Sequence, residues 1–179
     1  MKRHFEIAHD ILRETTGPGD IAIDATAGNG HDSFFLAKLV GPTGHVFAFD
    51  IQAGAIAKTR ERIAGLSNVT LFQRSHDELF DLIPASHHGH VAAIIFNLGY
   101  QPGGDPGITT RFDTTITALT FAFLLLKPQG VLCVITYVSH PGGEEEADAV
   151  EAWMKSCLTY ERFDSELPHG PRLYVVRKC

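Results

Sequence analysis

The chain has 179 residues, room for one ordinary domain, and its 44% hydrophobic and 20% charged content excludes a disordered chain. With Lys+Arg at 15 and Asp+Glu at 21, the formal net charge of -6 argues against a general electrostatic nucleic-acid binder. A local basic patch could still guide an RNA to a site.

Phe5, Ala8, Ile11 and Leu12 share one face of His4 to Thr16, which predicts an amphipathic helix ended by Gly17-Pro18-Gly19-Asp20. A short strand, Ile21 to Ile23, closes on Asp24 and a glycine-bearing loop. A helix opens at Ser33 and ends at Gly41-Pro42-Thr43-Gly44. The strand His45 to Phe49 ends at Asp50, and Ala53, Ile56, Ala57 and Ile63 continue at helical spacing. Val69 to Phe72 is a strand, and Glu78 to Ile83 a short helix cut by Pro84. Val91 to Phe96 is apolar throughout, as a strand buried on both faces should be. Thr114 to Leu126 is a long apolar helix stopped by Lys127-Pro128-Gln129-Gly130, with a second fully buried strand at Val131 to Ile135. A helix from about Glu144 to Cys157 precedes strand-like runs at Tyr160 to Phe163 and Leu173 to Val176. Strands alternating with helices predict a doubly wound α/β fold. Its seven-stranded sheet should be mostly parallel, with an antiparallel C-terminal hairpin, in a single domain over 1–179.

No apolar run approaches the length of a membrane span, and Met1 to Glu6 lead into no signal-peptide core. Cys133, Cys157 and Cys179 include no Cys-x-x-Cys pair, which argues against a zinc ribbon or a disulfide framework and fits a reducing compartment. The expectation is a cytoplasmic protein with no membrane partner. His87-His88-Gly89-His90 has no acid or cysteine at ligand spacing, so a solvated loop is expected there and no metal. Glu144-Glu145-Glu146 suits a helix N-terminus by dipole alone.

Asp24-Ala25-Thr26-Ala27-Gly28-Asn29-Gly30-His31-Asp32 sits where the first strand hands over to the first crossover helix. Gly28 and Gly30 let the backbone turn sharply and let a ligand approach the main chain. A dinucleotide loop wants a third glycine or alanine, and here that position is Ser33. Asp24 would repel a pyrophosphate and welcome an ammonium, such as that on the methionine tail of S-adenosyl-L-methionine. Asp50 can accept both hydroxyls of a ribose, which suits any nucleoside-containing ligand. Ser75 and His76 lie at the height where an adenine would rest, although Ser75-His76-Asp77 could equally cap the next helix.

Asn97-Leu98-Gly99-Tyr100 directly follows the fourth strand, where ligands bind in the crevice at the switch point of such a sheet. An Asn carbonyl beside a free backbone carbonyl would orient an amine toward an electrophile, and Tyr100 could stack on a base. Gln101 to Gly107 is a Gly/Pro-rich loop of the kind that forms substrate rims.

The loop Asp24 to Asp32, together with Asn97-Leu-Gly-Tyr-Gln-Pro-Gly-Gly-Asp105 and Ile108-Thr109-Thr110, resembles the bacterial class I methyltransferases labelled putative rRNA methylases. That family includes tRNA 5-(aminomethyl)-2-thiouridine methyltransferases. Gln101 departs from the pattern where an apolar residue is expected, and Asp105-Pro106-Gly107 replaces a basic and small pair. The resemblance implies a Rossmann-like fold, S-adenosyl-L-methionine as cofactor, and cofactor contacts from Asn29, Asp32, Asp50, Gln52, Ser75 and His76. It implies wobble 5-aminomethyl-(2-thio)uridine in the tRNA anticodon stem-loop as substrate, with Asn97 and Tyr100 at the acceptor.

The expected reaction is attack of a neutral amine on the sulfonium methyl, with Asn97 positioning and His76, His140 or solvent taking the proton. No cysteine lies near the fourth-strand motif, which argues against covalent activation of a pyrimidine ring; Cys133 reads as core. Methylation of rRNA or of a small amine is the alternative. A nicotinamide-dependent reductase lacks its third glycine here, and the Asn97 motif counts against a noncatalytic sensor. Arg111, Lys127, Arg172, Arg177 and Lys178 are the expected basic surface, and a homodimer sharing the tRNA would ease its shortage.

Overall fold

The apolar runs become seven strands in one sheet, ordered β3-β2-β1-β4-β5-β7-β6, in the computed structural model. The described residues are 2–99, 107, 109–157 and 159–179. Tyr100, most of the Gln101 to Gly107 loop, and Ile108 therefore lie outside them.

Strands β1 (Ile21–Asp24), β2 (His45–Phe49), β3 (Val69–Phe72), β4 (Val91–Asn97) and β5 (Leu126–Thr136) run parallel. Strand β7 (Arg172–Arg177) lies antiparallel between β5 and β6 (Tyr160–Asp164), which closes the sheet with the expected hairpin. The order reverses between β1 and β4, and the crevice that opens there is the place where doubly wound sheets bind ligands.

Alternation along β4 feeds two cores. Ile94 and Phe96 join Phe49, Leu79, Leu119 and Met154 under α4 (Leu79–Leu82), α5 (Phe112–Leu125) and α6 (Gly143–Ser156). Ala93 and Ile95 join Leu12, Leu36, Val46 and Cys133 under α1 (His4–Thr15) and α2 (His31–Val40). With both faces covered, every β4 residue before Asn97 is buried, which is why the sequence there shows no polar alternation. Cys133 is core, and burial pushes its thiol up to about 12. Helix α3 (Ala53–Arg62) follows β2. No helix among the described residues is long and apolar enough to cross a membrane.

Three local expectations change. Glu78 to Ile83 is a 3-10 turn, His76–Glu78, followed by the single turn of α4. Lys127-Pro128-Gln129-Gly130 does not separate α5 from its strand, because β5 begins at Leu126, directly after the helix. The strand absorbs these residues by a register shift against β4, with Gln129 at φ 64° and Lys127 paired to Asp20. His87 and His88 are half-buried, packing against Phe47 and Phe80, and so differ from the solvated loop expected there.

Candidate active site

The ends of β1, β2, β3 and β4 open into a cleft of about 420 Å³, within the roughly 300–1,000 Å³ range of small-molecule sites. Gly28, Asn29, Asp32, Asp50, Gln52 and Asn97 line it, as do Ser75 and His76. The expected residues from four separate strand ends therefore meet in one place. Tyr100 lies outside the described residues.

Asp24 and Gly30 differ from expectation. The Asp24 carboxylate is fully buried beneath the loop, accepting Ser33 Oγ at 2.6 Å and Thr26 N at 3.2 Å. Burial, with Asp32 and Asp50 nearby, holds its pKa well above the usual carboxylate range. It shapes the loop and is absent from the cleft lining, whereas Asp32 and Asp50 are both part of it. Gly30 is the N-cap of α2 at φ 79°, and a Cβ there would stand 2.8 Å from Thr59 Cα. Its role is close packing of the loop on α3, whereas Gly28 (φ 53°) faces the cleft itself.

Asp50 fastens the glycine loop to the end of β2. Its Oδ2 accepts Gly28 N and its Oδ1 accepts Gln52 N, both at 2.9 Å, and the residue lines the cleft. Burial raises its pKa against the pull of those backbone bonds. His76 forms another part of the wall. Its Nε2 is buried without a hydrogen-bond partner among the described residues, and burial drives its pKa down to about 4 against the pull of Asp77. Ser75 precedes the 3-10 turn and its N–H reaches Glu78 Oε1 at 3.4 Å, so capping and cleft-lining coexist there.

Asn97 ends β4. Its backbone N–H donates to Thr26 Oγ1 at 2.7 Å, and its Nδ2 donates to Asp32 Oδ2 at 3.4 Å. With the amide nitrogen engaged, Oδ1 is the acceptor left for a ligand. Two residues on, Gly99 and Thr110 bond in both directions, Gly99 N to Thr110 Oγ1 and Thr110 N to Gly99 O. They tie together the two ends of the acceptor loop.

Several cleft contributors were not among the expected site residues, although Thr26 and Thr110 stand in the quoted motifs and the segment from Tyr137 was expected at this sheet edge. Thr26, Thr110 and Tyr137 line the cleft, and burial with Asp32 nearby raises the Tyr137 phenol. Glu146 is buried, accepting Thr110 Oγ1 and Thr115 Oγ1 at 2.6 Å each, so helix-dipole placement does not account for it. The only available signal for Tyr137 was its position after the fifth strand.

Residues 46–165 match the family model described as "Putative rRNA methylase". The chain belongs to this family. Among solved rRNA methylase-like structures, one from Clostridium thermocellum superposes with a TM-score of 0.93 at 37% identity, covering 100% of this chain and 99% of that one. A methyltransferase from Streptococcus mutans, solved in complex with SAH, gives 0.88 at 33% identity with 100% and 99% coverage. The chloroplastic tRNA (mnm(5)s(2)U34)-methyltransferase of Arabidopsis thaliana is 39% identical over 85% of this chain. This member of the rRNA methylase family spans 59% of that plant protein's length.

Proposed function

We propose that the protein is an S-adenosylmethionine-dependent N-methyltransferase acting on the aminomethyl group of wobble 5-aminomethyl-2-thiouridine in the tRNA anticodon stem-loop. The observation that carries this reading is the amide of Asn97, held by Asp32 at the floor of a nucleoside-sized cleft. The tRNA methyltransferase relative and the SAH-bound neighbour support the same reading.

The cleft suits such a cofactor. Asp50 would take ribose hydroxyls, the His76 side chain would form part of the wall beside the base, and Asp32 would face the ammonium. When bound, S-adenosylmethionine supplies an electrophilic methyl group. The protein's contribution is then orientation. Asn97 Oδ1 accepts an N–H of the substrate amine and aims its lone pair, and an amide at this position cannot remove the proton. His76, with its pKa near 4, is too weak a base to deprotonate an alkylamine at neutral pH. His140 packs its ring against Gly99, outside the cleft lining. In this reading the proton goes to solvent before the free amine is bound.

The test is nucleoside mass spectrometry after incubation with S-adenosylmethionine and tRNA bearing 5-aminomethyl-2-thiouridine, with unmodified tRNA, rRNA and small amines as parallel acceptors. One methyl gained on the aminomethyl nucleoside alone is the expected result. Methylation of rRNA alone or of a small amine alone, with SAH binding intact, overturns the tRNA assignment.

A further inference from the structure

The chain's net charge is -6, yet its cations are not neutralised evenly. The expected basic surface is largely engaged: Arg111 pairs with Asp113, Lys127 with Asp20, Arg172 with Glu151, and Arg177 with Glu14 and Glu161. Lys178 donates to the carbonyls of Leu124, near the end of α5, and Leu126, at the start of β5. Those residues do not form a free patch.

Apart from Lys178, the cations without a carboxylate partner among the described residues gather elsewhere. Lys38 on α2, and Lys58, Arg60 and Arg62 on α3, are all exposed and make no ion pair there. Lys58 and Arg62 stand one helical turn apart. With Asn29, His31, Phe34 and Glu61 they line a groove of about 680 Å³ between the two helices. Asn29 and His31 line this groove and the cleft alike, so the two adjoin. Phe34 is 38% exposed, and the Lys38 ammonium lies 5.7 Å from its ring centroid.

We propose that this α2–α3 groove docks the sugar–phosphate backbone of the RNA substrate, with phosphates on Lys38, Lys58 and Arg62 and an unpaired base on Phe34. The proposal rests on the reading of the protein as an RNA methyltransferase. Polyanion binding requires cations not already neutralised by neighbouring carboxylates, and this flank holds them. An exposed ring beside a cation is the platform on which unpaired bases stack. A nucleotide whose base enters the cleft carries its own phosphates to the rim, where Asn29 and His31 lead into the groove. Glu61, the carboxylate in the groove lining, keeps the surface from binding anions indiscriminately.

Arg62 also donates from Nε to the Asn29 carbonyl at 2.7 Å, so its replacement would disturb the cofactor loop. The test therefore uses Lys38→Glu/Lys58→Glu in the full chain, against a control, Lys2→Glu/Lys155→Glu, with the same change in net charge. Anticodon stem-loop binding is read by fluorescence anisotropy over a salt series, and SAH binding by calorimetry. The groove variant should bind the RNA at least about tenfold more weakly than wild type, with a salt slope shallower by roughly one to two. The control should stay within about twofold, and SAH affinity should be unchanged in both. If wild type binds and methylates RNA while the groove variant matches the control, the docking surface lies elsewhere and the methyltransferase reading stands. If wild type binds SAH but neither binds nor methylates any RNA, that reading falls and this surface with it. Should charge reversal compromise folding, Lys38→Gln/Lys58→Gln carries the same comparison with neutral side chains.

Discussion

His9 in α1 and Asp32 at the start of α2 are joined by a 2.7 Å hydrogen bond between Nε2 and Oδ1. The imidazole lies flat on Phe35, with ring centroids 3.7 Å apart and planes 4° from parallel. Asp32 in turn receives Asn97 Nδ2 through its other oxygen. A histidine on the first helix thus fixes the carboxylate that fixes the amide.

That chain of contacts gives His9 a positioning role with a kinetic signature. In His9→Ala, Asp32 loses one of its two restraints and Asn97 loses its alignment. Misplacement on this scale lowers kcat by roughly tenfold or more. His9→Gln, which can reach Asp32 with an amide N–H, should recover most of the loss. Single-turnover methyl transfer measures both variants. Unchanged kcat in both, with only thermal stability lowered, would reduce His9 to a packing residue.

His76 makes stability depend on acid. Its folded pKa is about 4 against an ordinary 6.5, so between those values the unfolded chain binds the extra proton. The stability that neutral His76 contributes is therefore fully present above pH 6.5 and is lost as pH falls toward 4. At pH 5 the loss is about 2 kcal/mol. His76→Gln removes the titration, so its urea midpoint should fall less than that of wild type between pH 7 and pH 5. Parallel midpoints for the two proteins would mean that the imidazole is hydrated and not buried as found.

The elements were legible because periodicity and breakers act locally. The unbroken apolar run of β4 and the switch between β1 and β4 placed Asn97, Asp50 and the glycine loop at one sheet edge. Local rules could not say which acid of that loop faces the ligand. Asp24 and Asp32 are both close to its glycines, and the first turn of α2 buries one over Ser33 while leaving the other in the cleft wall. Charge pairing was illegible for the same reason. Lys127 is neutralised by Asp20 across the fold, whereas Lys58 stays free beside Glu61 in the same helix. Glu146 reads as one of three similar acids, and only the approach of α5 and the Thr110 segment distinguishes it.

Glu146 holds the far end of the acceptor loop. It accepts Thr115 Oγ1 as well as Thr110 Oγ1, which itself accepts Gly99 N–H, so the single amide oxygen in Glu146→Gln leaves one of the two hydroxyls without a matching acceptor. The cost should be about 1–3 kcal/mol of stability. Protection of the Gly99 amide from hydrogen exchange should fall, and kcat/KM for tRNA should fall with it, while SAH affinity stays within about twofold. Full Gly99 protection in the variant would show that the Gly99–Thr110 pair holds without Glu146.

Asn97 separates binding from chemistry. If its Oδ1 orients the amine, Asn97→Ala should keep SAH affinity within about threefold, because Asp50 and His76 are untouched, and should lower turnover by about a hundredfold or more. Asn97→Asp tests the same point by charge. It places a second carboxylate against Asp32, and that pair favours the ammonium form of the substrate, which has no lone pair to donate. Its activity should therefore be low at neutral pH and recover as pH rises, with the limb of the pH–rate profile displaced upward from that of wild type. Equal turnover for wild type and Asn97→Ala at saturating cofactor would remove Asn97 from the mechanism and leave the orienting acceptor to the backbone carbonyls of the loop.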